Sequence, residues 1–87
     1  MENEDRFARA LGLRIKELQQ RRGYTQEDMI SLGFSARHWQ QIESGRPITV
    51  RTLLRIAVAF TVPIEHLVRR LGPYSQRNSE GQRRDNW

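Results

Sequence analysis

Apolar residues recur every three or four positions along most of this chain, which is the spacing of one buried face of an α-helix. The first such stripe predicts a helix over residues 5–22 and consists of Phe7, Leu11, Ile15 and Leu18. Acidic residues precede the stripe and arginines follow it, which matches the charge that each helix end prefers. Gly23 then suits the helix exit.

Three further helix starts share one local design. Each begins with a hydroxyl residue that can accept a hydrogen bond from the first turn, namely Thr25, Ser35 and Thr49. An apolar residue precedes each of them and another follows four positions later, the spacing of a hydrophobic staple. Asp28 adds a short capping box to the first. The pattern predicts helices over residues 26–32, 36–44 and 50–60, with left-handed exits at Gly33 and Gly45.

The last two helices are predicted from their apolar faces. The core face of the fourth helix is expected to contain Val50, Leu53, Ile56, Ala57 and Phe60. Pro63 suits the first turn of a fifth helix that carries Ile64, Leu67, Val68 and Leu71 and ends at residues 72–73. Strand-like alternation is absent from the sequence, so we predict an all-α domain over residues 1–72 and a flexible polar tail over residues 73–87.

Size and composition exclude several classes of protein. A chain of 87 residues is too short for two cores, and the absence of cysteine excludes disulfides and thiolate metal sites. Its acidic N-terminus does not resemble a secretory signal and no apolar run is long enough to cross a bilayer, so a cytoplasmic protein is expected. The net charge of +5, with 14 arginines among the 15 basic residues, favours a polyanion as partner.

The second and third predicted helices form a helix-turn-helix candidate around a Gly-centred turn. The two helices are expected to be locked together by apolar side chains, namely Met29, Leu32, Phe34, Trp39 and Ile42. The residues that then face outward from the third predicted helix are Ala36, Arg37, Gln40 and Gln41. Arginine and glutamine suit bidentate contacts with guanine and adenine respectively.

Four short motifs follow one another along the chain, at residues 24–29 (YTQEDM), 34–35 (FS), 41–46 (QIESGR) and 52–57 (TLLRIA). In these motifs the chain resembles the Cro/repressor-type (XRE-like) helix-turn-helix family, and the resemblance extends over about residues 7–71. It implies a compact five-helix lambda-repressor-like bundle that binds operator DNA. It also implies a homodimer that regulates transcription, usually as a repressor.

The resemblance assigns roles by position. Ala36, Arg37 and Gln41, with Gln40 beside them, match positions that face base edges. The phosphate contacts that it implies are Gln26, Ser44 and Arg46. Arg51 lies near a helix start and is expected to approach phosphate as well, whereas Arg55 is expected to be solvated. Trp39 and Glu43 are expected to be structural, and a dimer surface is expected at Ile64, Val68 and Leu71.

Two other functions are compatible with parts of the sequence. An antitoxin or a mobile-element accessory regulator would also bind DNA and would use the tail to hold a protein partner. A helical interaction module would not bind DNA. No catalytic arrangement or phosphate-cradling Gly-rich loop is present, and His38 and His66 lack the neighbours of a metal site, so neither an enzyme nor a cofactor is expected.

Overall fold

Every element of the computed structural model, which describes residues 2–71, is an α-helix. The helices are α1 (Glu2–Arg21), α2 (Gln26–Ser31), α3 (Ala36–Glu43), α4 (Val50–Phe60) and α5 (Ile64–Val68). The prediction of an all-α fold with five helices is therefore confirmed for the described residues. The tail predicted over residues 73–87 lies outside them.

The starts of α2, α3 and α4 agree with the sequence prediction because their signals are local. Thr25 and Asp28 form the predicted capping box, since each side chain accepts a hydrogen bond from the backbone N–H of the other at 3.1 and 2.7 Å. Ser35 and Thr49 each accept a hydrogen bond from the backbone N–H three residues later, at 3.0 and 3.1 Å. These bonds satisfy donors that the first turn of a helix leaves free.

Both ends of the helical domain differ from the prediction. α1 begins three residues early because the acidic residues expected before it form its first turns, where negative charge is favourable. α5 is shorter than predicted because Arg69 is extended and Arg70 has a left-handed φ of 64°. Pro63 is its N-cap rather than part of its first turn. Leu71 therefore lies beyond α5.

One apolar core joins all five helices. Its buried members are Leu11, Ile15, Met29, Phe34, Trp39, Ile42, Ile56, Ala57, Phe60 and Leu67. Two residues that were predicted to pack inside are instead exposed, Val50 by 69% and Leu32 by 47%. Val50 is the first residue of α4 and lies where no other helix covers it. Leu32 is the C-cap of α2 and lies on the exposed side of the turn, beside α4.

Candidate nucleic-acid interface

The inner face of α3 is fixed by Trp39, which is completely buried. Its indole Nε1 donates hydrogen bonds to Oε1 of Gln19 at 3.0 Å and to Oε2 of Glu43 at 2.9 Å. Gln19 is itself buried on α1, so the bond joins α3 to a different helix. The structural roles predicted for Trp39 and Glu43 are confirmed. Gln19, which the sequence did not single out, completes the arrangement.

The turn between α2 and α3 is held from outside by α4. Gly33 adopts a φ of 107°, a conformation that residues with a Cβ rarely tolerate. Phe34 is buried, and its ring centroid lies 5.0 Å from that of Trp39. Arg55 donates a hydrogen bond of 2.8 Å to the Gly33 carbonyl, and its guanidinium lies 4.6 Å from the centroid of the Phe34 ring. Arg55 is exposed, as expected, but it also has a structural role that the sequence did not indicate.

The C-terminal end of α3 packs against the backbone of α1. A Cβ on Gly12 would lie 2.7 Å from the carbonyl oxygen of Ile42 and 3.0 Å from the backbone nitrogen of Gly45. Gly45 in turn has a φ of 94°, and a Cβ there would lie 2.9 Å from Cγ of Arg9. Two glycines thus allow the chain to approach more closely than other residues would permit. The position of α3 is consequently fixed at both ends.

The outer face of α3 presents polar groups to solvent. Ala36, Arg37 and Gln40 are exposed and Gln41 is half-buried, and their spacing places them on one face of the helix. The side chains of Arg37 and Gln40 have no hydrogen-bond or ionic partner among residues 2–71. The guanidinium and amide donors of this face, which we call the α3 strip, are thus available to an external ligand.

The four predicted phosphate contacts differ in how free their donors are. Arg46 and Arg51 are exposed, and their guanidinium groups have no partner within the described part of the chain. Gln26 is half-buried as the first residue of α2. The hydroxyl of Ser44 donates a hydrogen bond of 2.9 Å to the carbonyl of Gln41. Ser44 would have to release that bond before it could donate to phosphate.

The arrangement of α2, a tight turn and an exposed α3 can be compared with known protein families. A model of a helix-turn-helix domain family matches residues 10–71, which is well over half of the chain. The chain belongs to this helix-turn-helix family. The resemblance found in the sequence is thereby confirmed, and a helix-turn-helix domain indicates a DNA-binding regulator. No curated protein and no solved structure shows significant similarity to the chain.

The α5 side of this helix-turn-helix domain carries the residues predicted for a dimer surface. Ile64, Val68 and Leu71 are half-buried and pack against the core of their own chain. Arg14 on α1 holds this end in place through hydrogen bonds of 3.0 Å to the carbonyls of His66 and Arg69. Part of the apolar surface of α5 is thus used within one chain, and its role between chains stays a prediction.

The described part of the helix-turn-helix domain lacks two further kinds of feature. Within residues 2–71, no helix has the length and apolar character that crossing a membrane requires. In the same range, no three His, Asp or Glu side chains cluster as a metal site would require.

Proposed function

We propose that this helix-turn-helix domain is a sequence-specific transcriptional regulator that acts in the cytoplasm and represses transcription from a two-fold operator as a homodimer. The observation that carries the proposal is the α3 strip. Its arginine and glutamine donors lack acceptors among the described residues, while the opposite face of the same helix is locked by Trp39. Donors on a helix that is held rigidly from its opposite face suit contact with the acceptors of an external ligand.

Each residue of the α3 strip suits one kind of base contact. The guanidinium of Arg37 can donate to both O6 and N7 of guanine in the major groove. The amides of Gln40 and Gln41 can pair with N6 and N7 of adenine, and the methyl of Ala36 can contact the methyl of thymine. We therefore assign sequence choice to these four residues.

Phosphate contacts are assigned to the residues around α3. Arg46 and Arg51 supply unpaired positive charge, Gln26 supplies an amide at the start of α2, and Ser44 can join them once its hydroxyl rotates. Contacts of this kind position a protein on the duplex and make its affinity depend on salt. A homodimer through Ile64, Val68 and Leu71 would place two copies of α3 in major grooves about 34 Å apart.

Selection of bound sequences from a pool of random duplexes, with the full chain, tests the proposal. We expect an inverted repeat whose half-sites are centred about 10–10.5 base pairs apart, or at a multiple of that distance. The doubly substituted Arg37→Ala, Gln40→Ala chain is the matched control and should recover a weaker preference that is lost at the base positions these two residues read. A single half-site would remove the homodimer from the proposal. No retardation of any duplex at low salt would favour an interaction module that does not bind DNA.

A further inference from the structure

A second surface of the molecule, on the outer side of α4, exposes aliphatic side chains to water. A groove of about 620 Å³ runs along the outer side of α4 and reaches the end of α2. We call it the α4 groove, and its main lining residues are Leu32, Arg51, Leu54, Arg55 and Val58. Leu32, Leu54 and Val58 are exposed by 47, 50 and 78%. Converging aliphatic side chains of this kind are typical of interaction sites.

The charge of the α4 groove has a single sign. Arg51 and Arg55 line it, and no carboxylate does so. Arg55 is held in place by its hydrogen bond to the Gly33 carbonyl, so its remaining donors have a fixed position. The guanidinium of Arg51 has no partner within residues 2–71. An occupant of the groove must therefore supply both apolar surface and negative charge.

Charge complementarity decides between the candidate occupants. A second copy of the same groove would supply aliphatic groups but would bring arginines towards arginines, and like charges repel. A nucleic acid would satisfy the arginines but would leave the leucines and the valine in water. An amphipathic helix with aliphatic residues on one face and Glu or Asp beside them satisfies both requirements, as helices bound in grooves do.

We propose that the α4 groove binds an acidic amphipathic helix of a protein partner. Leu54 and Val58 lie one turn apart on α4 and present a continuous apolar ridge to that helix. Arg51 lies one turn before Leu54 and pairs with a carboxylate at one end of the bound helix. Arg55 meets a second carboxylate beside the ridge. None of the residues that line the groove belongs to the α3 strip, although Arg51 is shared with the proposed phosphate contacts, so the interaction is an additional property of the domain.

The experiment uses the full chain and two labelled peptides of about 18 residues, long enough to form a helix on binding. Both peptides carry leucines at positions i, i+3, i+4 and i+7, and the other face is glutamate in one and lysine in the other. Binding is followed by fluorescence anisotropy. We expect the acidic peptide to bind at least about tenfold more tightly than the basic one, because only the former pairs with the arginines.

Three substitutions locate the binding surface. Val58→Ser should weaken binding of the acidic peptide about five- to tenfold by removing apolar contact. Arg51→Gln should weaken it at low salt and reduce its salt dependence. Leu13→Ser is the matched control, because Leu13 is an exposed aliphatic residue on α1 and should not alter binding. Circular dichroism establishes that each variant is folded.

Several results would overturn the proposal. These are the absence of binding by the acidic peptide, equal binding of both peptides, or an equal effect of Val58→Ser and Leu13→Ser. If Val58→Ser instead converted a dimer of the unmodified chain to a monomer in sedimentation velocity, the occupant would be a second copy. If Val58→Ser failed to fold, the comparison of the two peptides on the unmodified chain and the Arg51→Gln result would decide. The assay contains no DNA, so its outcome is independent of the DNA-binding proposal.

Discussion

The indole nitrogen of Trp39 on α3 donates a hydrogen bond of 3.0 Å to the side-chain oxygen of Gln19 on α1, twenty residues earlier. The same amide donates through Nε2 to the carbonyl of Tyr24, where the chain enters α2. One glutamine thus connects the first three helices. Because its polar atoms are buried, each of them depends on a partner to offset the loss of water.

Trp39→Phe should therefore lower the free energy of unfolding by about 2–4 kcal/mol, because it creates a cavity and leaves the Gln19 oxygen unsatisfied. Urea denaturation followed by circular dichroism measures the effect. Glu43→Gln is the control, since its amide oxygen can still accept from the indole, and it should cost much less. Equal stabilities of Trp39→Phe and the unmodified chain would show that the buried hydrogen bonds contribute nothing net.

Gly12→Ala should also destabilise the fold, although alanine is the better helix former by about 1 kcal/mol. The added Cβ would lie 2.7 Å from the Ile42 carbonyl, so α1 and α3 must separate, at a net cost of about 1–3 kcal/mol. Thermal unfolding measures the change. Gln20→Ala, at an exposed position of the same helix, should leave the melting temperature unchanged or raise it slightly. A Gly12→Ala chain as stable as that control would contradict the close packing.

Arg37→Ala should weaken binding to the selected operator by about 1–3 kcal/mol and relax the preference at one base position. The reason is that a bidentate contact with guanine discriminates among bases, whereas a charge alone does not. Binding titrations on the operator and on its single-base variants provide the measurement. Arg6→Ala removes an exposed arginine of α1 that precedes the helix-turn-helix segment, and it should preserve the base preference. An equal loss on every duplex would assign Arg37 to phosphate.

Arg46→Ala should weaken binding to all duplexes alike. Removing one phosphate contact should reduce the slope of log affinity against log salt concentration by about one. Titrations across a range of salt concentrations measure this slope. Lys16→Ala removes one positive charge from an exposed position on α1 and should leave the slope nearly unchanged. If both variants changed the slope equally, Arg46 would act through net charge alone.

Elements with local signals could be predicted from the sequence. The N-caps of α2, α3 and α4 depend on contacts within four residues, and the bounds of α4 agree with the prediction at both ends. The burial of Trp39 followed from its place in an apolar stripe opposite Arg37. Helical periodicity was sufficient to predict this burial because a short helix is stable only when its apolar face packs against the core.

Features that depend on distant neighbours could not be predicted in this way. Arg55 contacts Gly33 across 22 residues of sequence, and its position on the exposed side of α4 gave no sign of that bond. Val50 continues the apolar stripe of α4, yet no helix lies opposite it. α5 ends early because Arg70 adopts a left-handed conformation that is rare outside glycine. The hydrophobic pattern of a helix does not show which of its apolar residues another helix will cover.

The two faces of α3 have separate roles, and this affects how the domain tolerates amino-acid substitution. Residues that fix the helix point inward and bond within the chain, whereas Arg37 and Gln40 take no part in holding it. Under the proposed function, substitutions at these two positions would therefore change the preferred DNA sequence with little penalty in folding.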